Sequence, residues 1–129
     1  MAEGLPLFFQ QVKITAPGYA NAFLVDGATA LHRIPSIWSL QVTGVNAAGA
    51  NVAATAWSVT AQASLDNLGY DGDTTAGIIS HVSGTNADGA VVKSNQNFLP
   101  TRYVRIHCTS LTLNGGAGNT AILVSLLGI

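Results

Sequence analysis

Charge is what this chain has least of. Five Lys and Arg and six Asp and Glu among 129 residues make it 9% charged, against roughly 25% in an average soluble domain. The basic residues Lys13, Arg33, Lys93, Arg102 and Arg105 are scattered, and the formal net charge is −1. That leaves neither the basic block a nucleic-acid partner requires nor an acidic tail. A single cysteine, Cys108, rules out an internal disulfide and falls on the apolar side of its segment, where it reads as a small buried hydrophobe. No apolar run reaches the roughly 18 residues of a membrane helix. Met1-Ala2-Glu3-Gly4 offers no basic leader, and Leu5 to Phe9 is too short for a signal-peptide core. No long window carries the i, i+3, i+4, i+7 stripe of an amphipathic helix.

Catalytic and metal-binding patterns are equally scarce. His32, His81 and His107 show no His-x-His or HExxH spacing, and no serine sits in a G-x-S-x-G elbow. Of the carboxylates Glu3, Asp26, Asp66, Asp71, Asp73 and Asp88, three precede a glycine, where turn formation accounts for them. The segment holding Asp66, Asp71 and Asp73 is the one place a hard cation could bind, but its spacing is not that of an EF-hand. Gly115-Gly116-Ala117-Gly118 joins two strands and reads as a turn, not as a phosphate loop. We therefore expect no enzyme activity, cofactor, metal, nucleic acid or membrane. Tyr19, Tyr70, Phe98 and Tyr103 could form a sugar platform, which makes a carbohydrate-binding module the runner-up class.

What is present is period-2 alternation. Ile37 to Val45 sets Trp38, Leu40 and Val42 against Ser39, Gln41 and Thr43. Ala54 to Leu65 sets Trp57, Val59, Ala61, Ala63 and Leu65 inward and Ser58, Thr60, Gln62 and Ser64 outward. Arg102 to Cys108 sets Val104, Ile106 and Cys108 against Tyr103, Arg105 and His107. Further strands are expected over Leu7–Ile14, Asn21–Val25, Gly77–Val82, Ala90–Lys93 and Ala121–Leu127. The segment from Arg102 to Ile129 reads as a hairpin whose second strand is apolar on both faces. About eight strands with almost no helix predict an all-β fold: a single antiparallel β-sandwich over residues 1–129, taken as an eight-stranded jelly roll, with an immunoglobulin-like sandwich as the alternative. The predicted core is Trp38, Leu40, Val42, Trp57, Val59, Leu65, Val104, Ile106 and Ile122.

The apolar fraction is 48% and the mean hydropathy +0.37. A monomer of this mass exposes about 6,400 Å², which spreads the charges at roughly one per 580 Å². Such an exterior suits an assembly subunit, since an interface must desolvate whatever charges it carries. Phe8 and Phe9 are neighbours and must point to opposite faces of a strand, so one of them is available to a partner, and residues 1–14 are a candidate contact arm. The expected assembly interface comprises Leu7, Phe8, Phe9, Leu123, Leu126, Leu127 and Ile129.

Ile37-Trp-Ser-Leu-Gln-Val-Thr-Gly, Trp57-Ser-Val-Thr-Ala-Gln-Ala-Ser-Leu-Asp66, Ile79-Ser-His-Val and Leu99-Pro-Thr-Arg-Tyr-Val-Arg-Ile-His-Cys-Thr-Ser-Leu111 occur in that order. Together they resemble small β-sandwich structural proteins encoded by tailed bacteriophages. The likeness runs from about residue 37 to 129, and it departs from the pattern at Asn67-Leu-Gly-Tyr, where a Gly-x-x-Trp turn is common. It implies a virion component made in the host cytoplasm: a capsid decoration (cement) protein, or a tail or baseplate piece. It implies no enzyme activity. With the low-charge exterior, we expect a homo-oligomer, a trimer, bound to the major capsid protein or another virion protein.

Overall fold

A computed structural model describes residues 8–25, 35, 37–54, 56–70, 79–84, 92–97, 101–116 and 118–129, with the backbone alone for 79–84 and 92–97. Leu7, Phe98 and Asp71 to Asp73 lie outside them. The elements are β1 Phe8–Ile14, β2 Gly18–Tyr19, β3 Phe23–Leu24, β4 Ile37–Val45, β5 Asn51–Val52, β6 Trp57–Ser64, β7 Ile79–Gly84, β8 Val92–Asn97, β9 Tyr103–Leu111 and β10 Ala121–Gly128. No helix is present among the described residues, and none there is long and apolar enough to cross a membrane.

Every strand pair is antiparallel. The first sheet runs β1-β10-β4, with β8 and β5 pairing successive stretches of β4. The second runs β9-β6-β7, with β2 and β3 pairing successive stretches of β9. The fold is an all-β sandwich. Its chain passes between the two sheets repeatedly.

The core lies between the sheets, where the two sets of inward residues interdigitate. Trp38, Leu40 and Val42 of β4 meet Val59, Val104, Ile106, Ile122 and Val124, each at 1% exposure or less. At one end Phe8 of the first sheet packs edge-on against Trp38 and against Phe23 of the second, at ring distances of 5.4 and 6.1 Å. Such edge-to-face contacts add to what area burial alone supplies. Gly44 lets β5 approach β4 closely, because a Cβ there would lie 2.7 Å from the Val52 carbonyl oxygen.

Three expectations need correction. The Arg102 to Ile129 segment is no hairpin: β9 belongs to the second sheet and β10 to the first. The connection does have the expected turn chemistry, with Gly115 and Gly116 at φ 67° and 55°, and it spans the two layers. Leu65 is not in the core but 66% exposed. The strand stops at Ser64, and the alternation stops with it in the following turn. Finally, Ser58, Thr60, Gln62 and Ser64 do not face water. All four are buried: Gln62 bonds Arg105 and Ser58 bonds Thr109, both of β9, and Ser64 is enclosed by Thr101 and the turn that follows.

Candidate functional site

The outer face of the first sheet can be read from its register. Phe9 pairs Leu127, which pairs Ser39; Gln11 pairs Ser125, which pairs Gln41; Lys13 pairs Leu123, which pairs Thr43. One row beyond Phe9, Ile129 and Ile37 exchange backbone hydrogen bonds of 2.9 and 3.2 Å. Side chains at paired positions share a face, so Phe9, Ile37, Leu127 and Ile129 form one apolar cluster. Phe9, Ile37 and Ile129 are 50%, 47% and 40% exposed, and Leu127 is half-buried. Beside them Gln11, Gln41 and Ser125 make a polar strip in which Gln11 Nε2 donates to Ser125 Oγ at 3.0 Å. Between the two lies an open depression of about 420 Å³ walled by Phe9 and Leu127.

Of the residues expected at an interface, the structure groups Phe9, Leu127 and Ile129 in this cluster and places Leu123 half-buried farther along the same face. Phe8 and Leu126 are instead core residues, 8% and 2% exposed. They sit at the opposite parity of their strands, where the other sheet covers them. Ile37 was missing from the expectation, although the alternation of β4 already placed it opposite Trp38.

The outer face of the second sheet carries a different arrangement, built along β9. Tyr19 pairs His107, and Gln62 pairs Arg105. The Tyr19 and His107 rings stack at 3.9 Å with 14° between their planes. The Arg105 guanidinium lies 4.0 Å from the Tyr19 ring centre and 3.9 Å from that of Tyr70. Two planar groups so near one ring centre would overlap on a single face. His107 and Arg105 therefore take opposite faces of Tyr19, giving the row His107, Tyr19, Arg105, Tyr70. Arg105 Nε donates to Gln62 Oε1 at 2.8 Å. Burial pushes the Tyr70 phenol up, opposed by the positive charge of Arg105.

Tyr70 is delivered by the turn after β6. Asp66 Oδ1 accepts from the Leu68 and Gly69 N–H groups at 2.9 and 3.0 Å and from the Ser64 hydroxyl at 3.0 Å. Ser64 Oγ accepts in turn from Asn67 N–H at 3.0 Å. Asn67 takes φ 62°, a left-handed conformation that Asn tolerates, and its Oδ1 accepts from the Tyr70 hydroxyl. Asp66 is thus a turn-former, and the Asp71 and Asp73 once paired with it as cation ligands fall outside the described residues.

Cys108 is fully buried, and desolvation pushes its thiol up. The described residues contain no grouping of three or more His, Cys, Asp or Glu that could hold a metal. Among the candidate sugar-platform residues, Tyr19 and Tyr70 come together around Arg105, and Tyr103 lies two positions along β9.

No family model matches the chain, and no curated protein matches it. Among solved structures, the SPBc2 prophage-derived protein YomS matches with a TM-score of 0.50 at 12% identity, over 93% of this chain and 94% of that one. At that identity the likeness is one of fold.

Proposed function

We propose that this chain is a structural protein of a bacteriophage particle, a non-enzymatic subunit that assembles through the outer face of its first sheet. The observation that carries the reading is the cluster of Phe9, Ile37, Leu127 and Ile129. These are large apolar side chains gathered on one face of a molecule with very few charges. Exposed apolar patches of this kind mark association surfaces, and an apolar centre beside a polar strip of Gln11, Gln41 and Ser125 has the anatomy of an interface. Its fold is shared with a prophage-derived protein, which supports a phage setting.

Within that setting we favour a capsid decoration protein, forming a trimer on the shell and contacting the major capsid protein. A tail or baseplate location is the alternative. The carbohydrate reading draws less support, because Tyr19 gives both ring faces to its own neighbours and leaves none open for a sugar.

Co-sedimentation with empty capsids of the encoding phage tests the proposal. Wild type is expected to pellet with shells and Leu127→Asp to remain in the supernatant while still folded. If wild type stays in the supernatant with shells and with tails alike, the proposal fails.

A further inference from the structure

We propose that the outer face of the second sheet is a carboxylate-recognition site, with Arg105 as its anchor and an acidic side chain of a partner protein as its occupant. The site lies on the opposite side of the sandwich from the apolar cluster and does not depend on the assembly reading.

Arg105 is half-buried, and its guanidinium carbon lies 4.0 Å from the Tyr19 ring centre and 3.9 Å from that of Tyr70. Gln62, buried beneath it, fixes Nε through a 2.8 Å hydrogen bond. A guanidinium has five N–H donors in one plane, and this bond uses one of them. No carboxylate among the described residues pairs with Arg105. The rings stabilise the cation but give the N–H groups of its two amino nitrogens no oxygen acceptor. What remains open is the edge of a rigid fork, and the ligand that matches it is a planar group with two oxygens, bonded side-on in the guanidinium plane.

Three observations choose the occupant. Among the described residues, the Lys and Arg side chains near this face are Arg105 of β9 and Arg102, which immediately precedes it. That is too few for a polyanion such as nucleic acid, whose affinity comes from neutralising many phosphates. Both faces of the Tyr19 ring are taken, so an acidic sugar would find no stacking surface there. The pairing of tyrosines with a half-buried arginine matches the composition of interface hot spots. An Asp or Glu of a partner protein satisfies all three, and its carboxylate would complete the hydrogen bonding of a charge already partly withdrawn from water.

The test is an NMR titration of the intact chain at low salt, following the Arg105 Nε–H signal and the Tyr19 and Tyr70 ring signals. The probe is a capped hexaglutamate peptide. A saturable shift of these signals is expected, absent with capped hexaglutamine. Arg105→Lys, which keeps the charge and loses the fork, is expected to weaken binding by about tenfold or more. Tyr19→Ala removes an exposed ring, leaves the core intact and is expected to weaken binding as well, so the outcome does not rest on one variant's folding. The proposal is overturned if hexaglutamate gives no saturable shift, if hexaglutamine shifts the same signals equally, or if oligogalacturonate or phosphate binds more tightly than hexaglutamate.

Discussion

Asp66 shows how much of a surface can hang on one carboxylate. The N–H groups of Leu68 and Gly69, then the Ser64 hydroxyl, hold its pKa below the ordinary carboxylate range. With the folded pKa below the unfolded value of about 3.9, its contribution is present in full above that value and fades as pH falls through the folded one. Thermal melts are expected to show wild type more stable than Asp66→Asn near neutrality, with the gap closing below about pH 4. A gap that stays constant down to pH 2 would contradict this role. A second comparison separates core from surface. Leu40→Ala removes a fully buried side chain and is expected to cost about 2–5 kcal/mol. Leu65→Ala, at an exposed position, should stay within about 0.5 kcal/mol of wild type. Urea unfolding reads both, and similar losses would place Leu65 back in the core.

At the scale of elements, alternation within a strand was legible and membership of a sheet was not. The expected bounds of β4, Ile37 to Val45, match the strand itself, because apolar and polar residues alternate from Trp38 to Thr43. In β9 the two predicted faces are the observed ones: Val104, Ile106 and Cys108 are buried, while Tyr103, Arg105 and His107 are half-buried on the other side. The pairing of β9 with β10 failed, since periodicity records which way a side chain points and not which neighbour the strand finds. The two-residue strands β2 and β5 are too short for any period to show. The same limit hid the Arg105 site. Tyr19, Gln62 and Tyr70 reach it from three other segments through strand register and one turn, and nothing local links them. The β4–β5 approach yields its own prediction. A methyl at position 44 would meet Val52 and Ala53 backbone at 2.7 and 2.9 Å, so Gly44→Ala should cost about 1–3 kcal/mol through overpacking, measurable in urea. A neutral result would mean that β5 is not held against β4.

Across the whole molecule the two outer faces differ in chemistry. One gathers apolar side chains beside amides, and the other displays a stacked row of aromatic rings around a guanidinium. Two unlike outer faces are what the proposed shell-bound role, with contacts to its own copies and to a second protein, would require. The sparse charge read from composition fits the first face, where Phe9, Ile37, Leu127 and Ile129 meet no charged residue in their own rows of β1, β10 and β4. Residues placed by register on that face can be altered without entering the core. Leu127→Asp is accordingly expected to leave the melting temperature within a few degrees of wild type while abolishing self-association.

Sedimentation velocity of wild type and Leu127→Asp over a wide concentration range tests the central claim most directly. Wild type is predicted to sediment as a trimer at all but the lowest concentrations, and the folded variant as a single chain. A wild-type protein that remains a monodisperse single chain at the highest concentration would contradict it.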